Sequence, residues 1–237
     1  MVKSHQNNNL VSPFPRKSGS SLAVIGLIAT ISISFLGMVL LISLFQRVPV
    51  DKLTGDVTAI AEIPIYSGLL TQIGIFFWIA AAAICLFSAT IILPKNHLNS
   101  LKIRRFLLIS AIITLFLGLD DAFLFHEAVF PSLGISENIV YLSYAGFFLF
   151  YLGKFWSIIC KTDYRIMVLA LIFFSISILL DIVHLLSPIA FLFEEPIFSF
   201  LEDAAKFTGI VSWFTYFFHV GQWSIKHSVA KLNADVV

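Results

Sequence analysis

Residues 106–130 read FLLISAIITLFLGLDDAFLFHEAVF, and this stretch decides what kind of protein the chain is. Up to Leu119 it is an apolar run of the sort that crosses a membrane. Asp120 and Asp121 then interrupt it, followed by His126 and Glu127. A charged side chain in hydrocarbon costs about 2.5–3.5 kcal/mol even on lenient insertion scales. That cost has to be offset by a partner, a bound ion, water or a proton, and the rest of the chain supplies partners.

Composition places the stretch in its setting. Hydrophobic residues make up 59% of the chain and charged ones only 12%, with a mean hydropathy of +0.95. Soluble domains carry about 25% charged residues. The chain therefore reads as an integral membrane protein with several spans. A net charge of +1 gives no footing for nucleic-acid binding. Cys85 and Cys160 lie in or beside apolar runs without CxxC spacing, which points to buried, inert thiols. The 25 phenylalanines suit lipid-facing and helix-packing surfaces.

Working outward, six runs exceed the roughly 20 residues needed to cross hydrocarbon. They cover 21–45, 67–93, 106–130, 139–160, 166–187 and 199–223. The first is too long for a signal-peptide core of about 7–15 residues, so it reads as a retained span. Residues 1–20 read as a disordered cytoplasmic tail, 21–223 as the membrane domain and 224–237 as a cytoplasmic tail. The expected fold is all-α, a six-helix polytopic bundle of the plasma or inner membrane.

Lysine and arginine set the orientation. Lys3, Arg16 and Lys17 precede the first run; Lys95, Lys102, Arg104 and Arg105 follow the second. Lys161 and Arg165 join the fourth to the fifth, and Lys226 and Lys231 follow the sixth. In the first loop Arg47 and Lys52 are offset by Asp51, Asp56 and Glu62; the 131–138 loop has no basic residue, and 188–198 has only Glu194 and Glu195. Both termini are therefore expected in the cytoplasm.

With a rise of 1.5 Å per residue, Asp120 and Asp121 fall about 7–9 Å below the outer boundary, with His126 and Glu127 close to it. Asp181 falls about 8 Å below that boundary on the fifth run, with His184 one turn above. On the sixth, Glu202 and Asp203 fall about 5 Å and Lys206 about 10 Å deep. Three helices thus bring their charges to one level in the outer leaflet. At 100° per residue Asp120 and Glu127 share a face, with Asp121 and His126 on either side of it. Glu202, Lys206 and Gly209 share another face. Lys206 has Glu202 at i−4 and Asp203 at i−3 as local partners.

Asp181-x-x-His184 has the spacing that helical metal sites use, and His126 and Glu127 would complete a ligand set for a divalent ion such as zinc. Asp120 would then be the base, Lys206 would stabilise developing negative charge, and Asp121, Glu202 and Asp203 would orient or pair with these groups. On that reading the protein is a metal-dependent hydrolase or group-transfer enzyme acting on a lipid or a small periplasmic or extracellular substrate. A proton- or cation-coupled carrier is the second reading, and a non-catalytic membrane subunit with internally paired charges the third. The bland reading of Lys206 is a structural salt bridge, and that of Asp181 with His184 a hydrogen-bonded pair at a helix end. His219 lies on the inner half and reads as a packed or interfacial histidine. Ala80–Ala83, and Ala29 with Gly37, read as small-residue patches for close helix contact.

The pattern Leu119-Asp120-Asp121-x-Phe123-x-x-His126-Glu127, with Glu202-Asp203-x-x-Lys206-x-x-Gly209 later, resembles an uncharacterised family of bacterial multi-pass membrane proteins. That resemblance brings no activity with it. The alkaline ceramidase and progestin-receptor-like hydrolases have seven spans and a serine where this chain has Ala122, four residues before His126. The last run has His219 alone in place of their HxxxH pair, so their activity is not transferred.

Overall fold

The computed structural model describes residues 21–92, 98–186 and 195–234, with side chains described for 24–92, 100–136, 139–183 and 197–226. The N-terminal tail, Lys95, Glu194 and the side chains of His184, Glu195 and Lys231 fall outside these ranges. All regular secondary structure among the described residues is helical. The chain divides into two units, one ending at Ser67 and the other beginning at Gly68.

In the first unit, α1 (Ser21–Gln46) is apolar on every side, and its described side chains are exposed or half-exposed. Such a helix is at home only in hydrocarbon. Two short helices follow, α2 (Val50–Thr54) and α3 (Val57–Ala61).

The second unit holds α4 (Leu69–Ile91), α5 (Leu98–Phe123), a π-helical turn (Phe125–Val129), α6 (Phe130–Ser132), α7 (Glu137–Ile159), α8 (Tyr164–Leu186) and α9 (Glu195–Ala234). Across both units, α1, α4, α5, α7 and α8 are long and apolar enough to cross a membrane. The sixth apolar run lies inside α9, a helix of 40 residues. Its serines, threonines, Trp213, Tyr216 and His219 dilute its hydropathy. The reason is its position, because Ala205, Ile210, Trp213, Tyr216, Phe217 and Val220 face other helices and are buried. A helix that meets protein need not be as oily as one that meets lipid.

α9 packs against α8 and α4, and α4 packs against α5. Trp213 is fully buried at the centre. Its ring meets Trp78 of α4, Phe148 of α7 and Phe174 of α8, and its indole N–H donates to Thr114 Oγ1 of α5 at 3.0 Å. Lipid tails are as apolar as leucine, so such close packing and hydrogen bonding replace the hydrophobic effect as the force between helices. Gly118 lets α5 approach α4, since a Cβ there would stand 2.9 Å from Trp78 Cβ. α7 joins through Tyr151, whose hydroxyl lies 2.6 Å from Ser110 Oγ, and through Phe155 against Phe106. Ala81 and Ala82 are buried as their small size suggests, and Cys85 is buried; Cys160 is exposed, contrary to expectation, because it caps α7 at a turn.

The 106–130 run is not one helix. α5 ends at Phe123, Leu124 adopts the left-handed conformation (φ 52°, ψ 47°), and the π turn begins at Phe125. The uniform rotation of 100° per residue therefore stops short of His126 and Glu127, and the facing expected for them does not hold.

Candidate functional site

Asp121 occupies the last turn of α5 and is buried. Its Oδ2 accepts the Trp78 indole N–H at 2.7 Å, and its Oδ1 lies 2.7 Å from Lys206 Nζ. One carboxylate thus ties α5 to both α4 and α9. Of the three carboxylates read as pairing or orienting groups, Asp121, Glu202 and Asp203, Lys206 pairs with Asp121, across the bundle, and not with the two on its own helix. Asp203 is exposed and Glu202 half-buried, whereas Asp121 lies at the centre of the contact. A lysine is worth most to the carboxylate with least water.

Asp120, also buried, turns the other way. Its Oδ1 accepts the His126 backbone N–H at 2.9 Å, and its Oδ2 lies 2.8 Å from His126 Nδ1. The helix break explains this. A new helical segment starting after Leu124 exposes unsatisfied N–H groups, and Asp120 caps one of them from six positions back. The same break swings the His126 ring toward Asp120, where an unbroken helix would have put it on another side. His126 Nε2 then faces Glu127 Oε1 at 3.2 Å. Ionised carboxylates only accept hydrogen bonds, so this arrangement holds a proton on each ring nitrogen or on one of the carboxyls.

Two residues of α7 complete the surroundings. The Tyr141 hydroxyl donates to Asp181 Oδ2 of α8 at 2.8 Å, and the Tyr141 ring lies against His126. The Tyr144 hydroxyl is buried, and the Tyr144 ring lies against His126, as that of Tyr141 does. Glu202 lies within electrostatic range of Asp181, Asp203, Lys206 and Glu127. Asp203 lines a shallow hollow between α4 and α9 with Asp121, Lys206, Leu70 and Thr71.

The expected site residues therefore fall into three groups: Asp121 with Lys206, Asp120 with His126 and Glu127, and Asp181 with Tyr141. Glu202 and Asp203 stand beside the first. The set proposed for a metal is His126, Glu127, Asp181 and His184, and the contacts of its described members are these. Both ring nitrogens of His126 face carboxylates, Asp181 is engaged by Tyr141, and the His184 side chain lies outside the described residues. Among the described residues no group of three or more His, Cys, Asp or Glu side chains could hold a metal ion. His219 lies apart, with Nδ1 at 3.1 Å from Asp163 Oδ2 in the turn between α7 and α8, both side chains exposed.

Sequence reasoning missed Trp78, Tyr141, Tyr144 and Leu124. For the tyrosines a signal existed, since they sit three apart in the first turns of α7, just after the stretch that carries His126 and Glu127. A tryptophan inside an apolar run carries no such signal.

Residues 22–220 match the family model described as a domain of unknown function (DUF8692). No curated protein and no solved structure matches the chain.

Proposed function

The chain belongs to that family of unknown function, and on this premise we propose that it is a non-catalytic multi-pass membrane protein whose ionisable cluster is an internal lock. One observation carries the reading. The three deepest carboxylates, Asp120, Asp121 and Asp181, each accept hydrogen bonds from the chain's own side chains, and both oxygens of Asp120 and Asp121 are engaged. A lock of this kind ties α4, α5, α7, α8 and α9 at one end of the bundle. On the same reading α9 is a sixth span, both termini are cytoplasmic, and the protein resides in the plasma or inner membrane.

The test removes the central pair. Replacing a buried ion pair by apolar side chains is often neutral or stabilising, whereas removing one partner costs about 3–5 kcal/mol. Asp121→Leu with Lys206→Leu and Trp78→Phe, which leaves no indole N–H without its acceptor, should insert, melt near wild type and restore the phenotype lost on gene deletion. Lys206→Leu alone should unfold more readily. A folded triple variant that fails to restore the phenotype would overturn the lock and leave chemistry or transport at the cluster.

A proton- or cation-coupled carrier is the second reading. It is favoured by the line Glu127–His126–Asp120, which leads from an exposed carboxylate through an imidazole to a buried one. Proton uptake by the purified protein in liposomes, compared with that of Asp120→Asn, separates the two.

A further inference from the structure

Residues 47–68 join two helices of membrane-spanning length, α1 ending at Gln46 and α4 starting at Leu69. Both ends of this connection are pinned at a membrane surface, whichever side that is. A connection standing in water would present polar side chains. Here Val57 is 75% exposed, Ile65 89% and Tyr66 70%, with Ile60 and Ile63 also uncovered.

The apolar residues are not scattered. On α3, Val57, Ile60 and Ala61 have the i, i+3, i+4 spacing of one face, while Thr58 and Glu62 lie on the other. α2 and α3 have five residues each and bury none of them. Helices this short do not hold themselves in water, where about 12–15 residues are marginal even for good helix formers. One end of α3 is secured. The Asp56 carboxylate accepts the backbone N–H groups of Thr58 and Ala59, and the Thr58 hydroxyl donates to it as well. Satisfying the cap leaves the apolar face unaccounted for, and a face of this size calls for a partner.

We propose that residues 50–66 lie on the bilayer as an interfacial element, with Val57, Ile60, Ile63, Ile65 and Tyr66 set into the boundary between lipid headgroups and acyl chains. Continuity selects lipid as the occupant, because the segment leaves one helix of membrane-spanning length and enters the next. Tyr66 fits the boundary, where an amphipathic ring keeps its hydroxyl among headgroups. Asp51, Lys52, Asp56 and Glu62 supply the polar face that an interfacial helix turns to water.

The experiment uses the full chain carrying Cys160→Ser, which leaves only the buried Cys85. Single cysteines are introduced by Ile65→Cys, Val57→Cys and Thr58→Cys, labelled with an environment-sensitive fluorophore, and reconstituted into phosphatidylcholine nanodiscs. The Ile65 and Val57 probes should shift to the blue and lose emission to phosphatidylcholine bearing a nitroxide high on its acyl chain. The Thr58 probe should lose emission to aqueous iodide. Iodide quenching at Ile65 equal to that at Thr58 would overturn the proposal in favour of a loop in water. Protection from both quenchers would overturn it in favour of a protein partner. Tyr66→Cys gives a second position should the Ile65 variant not purify.

Discussion

Asp121 is the residue on which the bundle's polar contacts turn. Its two oxygens are divided between an indole on α4 and an ammonium on α9. Trp78→Phe keeps the stacking against Phe174 but removes the N–H, leaving a charged acceptor one donor short. Hydrogen bonds to charged groups contribute about 1.5–3 kcal/mol, so the variant should unfold in denaturing detergent with a loss of that order. Asp121→Asn in the same background should not recover it, because it leaves the Lys206 ammonium without its counter-charge. Gly209 makes a steric counterpart. A Cβ there would stand 2.7 Å from two ring carbons of Phe174, in a part of the bundle with little freedom to shift. Gly209→Ala should cost about 1–3 kcal/mol through overpacking, read as a lower melting temperature with unchanged helicity.

At the scale of the element, the break between α5 and the π turn rests on Leu124. A left-handed conformation costs an L-residue with a Cβ about 1–2 kcal/mol, and Leu124 is 46% exposed, so its side chain returns little through burial. Leu124→Gly should therefore be neutral or raise thermal stability despite the added entropy of the unfolded chain, and Leu124→Val should lower it. A large loss with glycine would mean that the side chain, not the backbone, holds the turn. α3 poses a question of pH. The Thr58 hydroxyl first, then the backbone N–H groups of Ala59 and Thr58, hold the Asp56 carboxyl below its ordinary range. A depressed carboxylate contributes stability that is present above its unfolded value and lost as pH falls through the folded one. The Thr58 and Ala59 amide resonances should accordingly keep their capped positions down to a pH below the usual aspartate range, then shift. Asp56→Asn should retain much of the cap, and Asp56→Ala should lose it at every pH.

For the whole molecule, the asymmetry of lysine and arginine calls for one orientation. Gly134→Cys should react with an impermeant thiol reagent on intact cells, and Lys102→Cys only after the membrane is opened. The reverse pattern would turn the bundle over and put the charged end on the cytoplasmic side. It would not alter the contacts around Asp121 and His126, which depend on packing and not on the direction of insertion.

Hydropathy alone determined that the chain is a helical membrane protein and where its long helices lie, because hydrocarbon leaves the backbone few options and demands about 20 apolar residues per crossing. It also predicts the ionisable residues at one level, an expectation that follows from rise per residue. Which groups meet was decided only in three dimensions. Lys206 had two carboxylates within reach on its own helix, yet pairs with Asp121 of another, because the choice depends on which acid has least access to water. His126 reaches Asp120 because one left-handed residue redirects the chain, and nothing in the letters around Leu124 sets it apart from any other leucine. The tryptophan partner escaped for the same reason: a hydrogen bond between helices is written in the position of both, and the sequence of each records only its own face.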